Sequence, residues 1–271
     1  KRYNKKMKKK KNEEIIKKYT KYLDEKRVEL NLERKLQKEI LIENMISVEE
    51  CLKIIQSKGM NFWDKRIDQN DFLITRIGYG NELFDAEIQF PEEGFSIDED
   101  ALRKKAEEMV KEFKYIEDVP VSYSFYDNIV TAVMGNIYKS VYFIQNIVLQ
   151  LITFYSYEDL KLVVFTNESK KDNWDYIRYL NHNFTNDKSI RLFSTNIESS
   201  KKLSEFLNYE VNVRLANKDN PKFEKKPHYF IITDDYNSIK RFDFIKTITE
   251  EDTNIGFSVV ILEERLSKLP S

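Results

Sequence analysis

The chain has 271 residues, of which 41% are hydrophobic and 34% charged, with a formal net charge of -1. That length and composition suit one large domain or a medium domain with an appendage, and two units are expected. A single cysteine, Cys51, excludes an internal disulfide framework and fits a reducing compartment, while His182 and His228 leave little for zinc or for Cys/His catalysis. No apolar run approaches the roughly 20 residues a membrane helix needs, and no signal-peptide pattern opens the chain.

Charge is distributed unevenly. Eight of the 45 Lys and Arg residues fall in the first eleven positions with no acid among them, so the remainder carries 37 against 46 acids. Such a basic start can bind nucleic acid, be a solvated tail, or lie at the cytoplasmic face of a membrane whose spanning helix precedes it. The acidic remainder disfavours nucleic acid, because it would repel phosphates. Residues 13–44 lack Gly and Pro and place Ile16, Leu23 and Leu30 at seven-residue spacing, with Tyr19, Leu36 and Ile40 nearby. This predicts a long, mostly exposed helix whose narrow stripe packs on a partner helix or on its own domain. Ser47-Val48-Glu49-Glu50 is a capping box for a short helix ending near Gly59, with Cys51 as a small core residue.

Residues 61–90 read as a β-hairpin, extended from Phe72 through Ile74 and Ile77, turning near Gly78 and Gly80, and resuming at Leu83. A lone Gly-x-Gly is a weak nucleotide signal; a turn or bulge is the plainer reading. Ser96-Ile97-Asp98-Glu99 forms a second capping box, and Leu102, Ala106, Met109, Phe113 and Ile116 give the helix that follows an apolar face.

Phe62-Trp63-Asp64-Lys65-Arg66, followed by Asp71, Phe72, Leu73, Arg76, Gly78 and Gly80, resembles the W-E-R-R...D-F-L-x-x-R-x-G-x-G signature of the membrane ATPases of type VII secretion systems. Those proteins are the EssC/EccC type of the FtsK/SpoIIIE family. Asp64 stands where the signature has Glu, which preserves the charge. The resemblance implies that the basic start follows a membrane helix, that the long helix is a cytoplasmic stalk, and that Val121 onwards is a first, degenerate ATPase-like module.

Beyond residue 121, apolar runs at 129–134, 160–165, 190–193, 229–233 and 257–262 alternate with longer helical patterns, which argues for a parallel sheet with helices on both faces. Ile137, Val141, Ile144, Val148 and Leu151 make one helix face; Leu203, Phe206, Leu207, Val211 and Leu215 make another. The expected fold is therefore doubly wound α/β, with a RecA/P-loop-like sheet preceded by a helical stalk and a β-hairpin/helix connector. Residues 1–58, 59–120 and 121–271 are the three expected segments.

VTAVMGNIYKSVYFIQ, residues 130–145, has the outline of a phosphate loop, with Gly135, Lys139 and Ser140 spelling G-x-x-x-K-S. A Walker A loop needs two glycines so that successive amides can wrap the phosphates. Aligned on Lys139 and Ser140, those positions hold Val133 and Tyr138, and the loop is two residues short. HYFIITDD, residues 228–235, has the outline of a Walker B strand, and the resemblance matches Asp234 and Asp235 to its terminal acids, although such a pair is usually solvated or caps a helix. Trp174, Tyr176 and Tyr179 can stack on a base, but a packed surface helix is the plainer reading.

The resemblance implies a stalk plus non-catalytic ATPase-like segment that couples a membrane pore to motor modules downstream, at the cytoplasmic face of the cell membrane. Implied partners are other membrane components of the secretion system, further copies of the chain, an anionic membrane surface at the Lys-rich start, and secreted proteins indirectly, with no nucleic acid. ATP and magnesium are expected downstream and not on this segment. The alternative is an ATP-binding or hydrolysing module with an unorthodox loop.

Overall fold

A computed structural model describes residues 2–86 and 97–264. In chain order the elements are α1 (Arg2–Asn44), α2 (Val48–Ser57), β1 (Ile74–Leu83), α3 (Ile97–Glu112), β2 (Tyr115–Ser124), β3 (Val130–Met134), α4 (Ile137–Phe154), β4 (Leu160–Phe165), β5 (Phe193–Ser194), α5 (Ile197–Ala216), β6 (His228–Thr233), α6 (Tyr236–Ile239), α7 (Asp243–Glu250) and β7 (Phe257–Glu263). The chain divides into two compact units, Lys1–Ile46 with Ile77–Val121, and Ser47–Arg76 with Ser122–Ser271. α2, expected with the stalk, lies in the second unit and packs on α4.

In the first unit α1 carries the long helix expected from its composition. Leu23, with Tyr19, Leu30 and Leu41, packs against Ala106, Met109 and Phe113 of α3 and Ile116 and Val119 of β2. The expected stripe is thus partly used on its own unit, while Leu36 and Ile40 are exposed. Polar contacts fix the register: Arg34 lies over the Phe113 ring at 4.8 Å, and Lys38 Nζ donates to the Glu117 carbonyl at 2.8 Å. Ile116 belongs to β2, not to the helix face on which the periodicity placed it. Ser96 of the second expected capping box lies outside the described residues, as does the stretch of the expected hairpin beyond Ala86.

The hairpin itself does not form. Gly78 and Gly80 sit inside a single strand, β1, which pairs with β2 beyond α3. Bonds from the Phe125 amide to the Leu73 carbonyl and from the Phe84 amide to the Lys114 carbonyl give the pair antiparallel order. Gly80 is explained by close approach instead of a turn: a Cβ there would lie 2.9 Å from Val121 Cγ2.

In the second unit, the expected capping box is present, with Glu50 N donating to Ser47 Oγ and Ser47 N donating to the Glu50 carboxylate. Cys51 is buried on α2, and burial pushes its thiol up to about 11, which suits a core residue. The five-stranded sheet has the order β3-β7-β6-β4-β5, and every pairing is parallel. Alternate residues feed two cores. Leu160, Leu162, Val164, Phe230, Ile232, Val260 and Leu262 face Val141, Ile144, Val148 and Leu151 of α4. Val163, Phe165, Tyr229, Ile231, Val259 and Ile261 face α5 and α7. Burial on both faces is why these strands read as unbroken apolar runs. Arg214 of α5 is buried beside them. Its guanidinium lies over the rings of Tyr229 and Phe257 at 4.9 and 4.7 Å and donates to the carbonyls of Pro227, Ile255 and Gly256.

Candidate functional site

β3 reaches α4 through Gly135, whose φ of 134° suits glycine alone, and Asn136, the N-cap. Two residues cannot wrap a chain of phosphates, and several nearby amides are engaged within the chain. The Gly135 amide donates to the Glu263 carbonyl at the end of β7 (3.2 Å), the Lys139 amide to Asn136 Oδ1 (3.3 Å), and the Ser140 amide to the Asn136 carbonyl (3.0 Å). Asn136 therefore fills, from within the chain, the role that an anion takes at an open helix start. Ser140 is buried, Lys139 is exposed, Val133 lies within β3, and Tyr138 is 78% exposed on the first turn of α4.

Asp234 and Asp235 follow β6 at the same edge of the sheet, but β7 intervenes between β6 and β3. Two strand spacings, about 10 Å, separate the aspartates from the glycine turn. The structure thus holds Gly135, Lys139 and Ser140 together, and Asp234 with Asp235, as two separate groups. Asp234 is buried, with Oδ1 accepting from Thr166 Oγ1 at 2.8 Å and Oδ2 from Trp174 Nε1 at 2.9 Å. Burial pushes its carboxyl above the ordinary range, against the pull of those hydrogen bonds and of Lys170. Asp235 takes a long contact from the Asn167 amide, 3.5 Å. Among the described residues, no cluster of three His, Cys, Asp or Glu side chains is placed to hold a metal ion.

Trp174 was expected on a surface helix. It is fully buried at the junction of two short 3-10 turns, and it reads Asp234 instead of a base; Tyr179 is exposed. Those turns lie on the α4 side of the sheet, where Trp174 and Ile177 enter the core, whereas α6 and α7 after β6 enter the opposite core through Ile239, Phe244 and Ile245. Adjacent strands β4 and β6 therefore send their connections to opposite faces, which opens a crevice between their carboxyl ends. A cavity of about 1140 Å³ lies there, with Thr166, Asn167 and Asp235 on its walls. Sequence reasoning reached Asp235 and missed the rest. The available signal was the polar pair Thr166-Asn167 directly after an apolar strand.

The signature residues lie away from this edge. The Trp63 amide donates to the Thr153 carbonyl at 2.9 Å and its Nε1 to the Ile152 carbonyl at 3.0 Å, at the carboxyl end of α4. Asp71 pairs with Lys65 at 2.5 Å, exposed Arg66 approaches Asp68 at 3.7 Å, and the Arg76 amide and carbonyl both bond Gln150. Phe72 is buried in the core, while Gly78 and Gly80 lie in β1. The stretch from Trp63 to Arg76 is a strap on the end of α4.

No family model matches the chain. The type VII secretion system protein EssC of Staphylococcus aureus (strain NCTC 8325 / PS 47) is 24% identical over 275 residues, covering all of this chain and 18% of EssC. The ESX secretion system protein YukB of Bacillus subtilis (strain 168) is 24% identical over 270 residues, covering 98% of this chain and 18% of YukB. The chain is homologous to these type VII secretion proteins. This homologue spans 18% of the length of the curated relatives it matches, and the similarity extends well beyond the signature that first suggested it. Two solved structures are also similar, Thermomonospora curvata EccC (ATPases 2 and 3) in complex with a signal sequence peptide and the cytoplasmic domain of the Thermomonospora curvata type VII secretion ATPase EccC. They align with TM-scores of 0.42 and 0.41 at 16% and 14% identity, over 54% of this chain and 26% and 17% of theirs. Among the described residues of this type VII homologue, no helix is long and apolar enough to cross a membrane.

Proposed function

We propose that this chain is the stalk and non-catalytic ATPase-like part of a type VII secretion membrane ATPase, coupling a membrane-embedded part to motor domains during protein export. The observation that carries the non-catalytic reading is the β3–α4 turn. One glycine and a self-capping asparagine stand where phosphates would be wrapped, and the Gly135 and Lys139 amides are hydrogen-bonded within the chain. Asp234 supports it as well, because both its carboxylate oxygens are held by Thr166 and Trp174. Nucleoside triphosphate and magnesium do not fit these residues, and they belong to motor domains outside this chain.

The Lys-rich start of α1 suits an anionic leaflet, to which each basic residue contributes about 1 kcal/mol, and this supports a position at the cytoplasmic face. Its partners are then membrane components of the secretion system and further copies of the chain, with secreted proteins engaged indirectly. Calorimetry with Mg-ATP, alongside a phosphate-release assay, tests the reading: no hydrolysis and no magnesium-dependent binding that Lys139→Ala removes are expected. Magnesium-dependent micromolar binding that disappears in Lys139→Ala would overturn it in favour of an ATP-binding module with an unorthodox loop.

A further inference from the structure

The crevice before β4, β5 and β6 is not absorbed by the reading above, since Gly135, Lys139 and Ser140 do not line it. We infer that it binds a small organic phosphate of about mononucleotide size, held by Lys201, Lys240 and Arg241. Its place is the first argument. In an open α/β sheet, the gap between strands whose connections leave on opposite faces is where backbone and loops part to admit a ligand, and here that gap lies between β4 and β6. Its size is the second: about 1140 Å³ admits a mononucleotide, small-molecule sites usually running from about 300 to 1,000 Å³.

Charge selects the ligand. Lys201 comes from α5, and Lys240 and Arg241 from the turn after α6, so three cations from two segments border one opening. Among the described residues, no hydrogen bond or ion pair engages the side chains of Lys201 and Arg241, and Lys240 contacts only the neutral Asn237 amide. The two carboxylates of the lining are Glu198, held by Lys202 at 2.8 Å, and Asp235. Three lining cations against two lining carboxylates, one of which is already neutralised by Lys202, leave the opening net positive, which suits a phosphate monoester. Arginine's planar fork suits phosphate oxygens, and at the start of α5 the Ser199 amide is already taken by Asn196 Oδ1. Ile197, 76% exposed, and Phe242 supply an apolar wall for the organic body.

The test is calorimetry on the full chain with AMP, adenosine and inorganic phosphate. AMP should bind saturably, and adenosine and inorganic phosphate should each bind at least about tenfold more weakly. The double variant Lys201→Ala, Arg241→Ala should weaken AMP by about tenfold or more without moving the melting temperature, since both side chains are exposed, and Lys139→Ala should leave it unchanged. Absence of AMP binding below about 1 mM, adenosine binding equal to AMP, or a double variant that binds like the parent would each overturn the inference. Loss of binding in Lys139→Ala with retention in the double variant would put the phosphate at the β3–α4 turn and overturn the non-catalytic reading along with it.

Discussion

Phe72 and Trp63 belong to the same strap, yet replacing each by alanine should have unequal effects. The Phe72 side chain is 4% exposed, and its ring meets Tyr155, His228 and Tyr126 edge-on at 5.0, 5.4 and 5.9 Å. Truncating a buried phenylalanine removes its transfer free energy and leaves a cavity, together about 3–5 kcal/mol. Trp63, by contrast, is 37% exposed. Its backbone bond to Thr153 survives truncation, so Trp63→Ala forfeits one side-chain hydrogen bond and partial packing, about 1–2 kcal/mol. For a unit of this size, 1 kcal/mol moves the melting temperature by about 2–4 °C. Phe72→Ala should therefore lower it by about 6–20 °C and Trp63→Ala by about 2–8 °C, read by calorimetry with urea unfolding as a second measure. A Trp63→Ala variant that melts as low as Phe72→Ala, or lower, would refute the packing argument. It would show that the exposed face of Trp63 is not where its energy resides.

Gly80→Ala should destabilise the first unit by about 1–3 kcal/mol, because its Cβ would press on Val121 Cγ2, and Val121→Ala in the same chain should recover most of the loss in a double-mutant cycle. Lys161 is buried with no hydrogen bond to its amine, which lies over the Tyr157 ring at 5.4 Å, and burial brings it down to about 8 from 10.5. A lowered folded value costs stability as pH falls from 10.5 through 8, so Lys161→Met should raise the urea midpoint at pH 7 and lose that advantage towards pH 10; no gain at pH 7 would contradict this. Burial lowers His182 to about 4, so its contribution is complete above 6.5 and is lost as pH falls towards 4, by about 3 kcal/mol. Urea midpoints between pH 7 and 4 should fall less steeply in His182→Asn, and parallel slopes would count against the assignment.

The sheet was legible because strands buried on both faces leave a signal that needs no partner to decode: Leu160–Phe165 stands at its expected bounds. β5 shrank to Phe193–Ser194, since the exposed Arg191 within the expected run makes only an isolated bridge to Phe184. Gly78 and Gly80 misled because a glycine that opens a turn and a glycine that admits a neighbouring side chain look alike in one dimension; Val121, on the other strand, decides between them. Trp174 was placed on a surface helix because its partner, Asp234, lies 60 residues away. The short phosphate-loop outline was readable residue by residue. The crevice was not, for its walls come from the ends of three strands and the starts of two helices, and only the strand order brings them together.

Arg214 sets how this sheet comes apart. Its guanidinium stays charged, so it cannot release its carbonyl partners by losing a proton, and withdrawing it would leave the carbonyls of Pro227 and Ile255 without that donor at about 1–3 kcal/mol each. The stacked rings of Tyr229 and Phe257 would lose the cation beside them in the same movement. α5 and the entries to β6 and β7 consequently open as one cooperative body, not strand by strand from an edge. In deuterated water the amides of Tyr229 and Phe257, bonded to the Gly256 carbonyl and to Asn254 Oδ1, would exchange in one slow class shared with the inner face of α5.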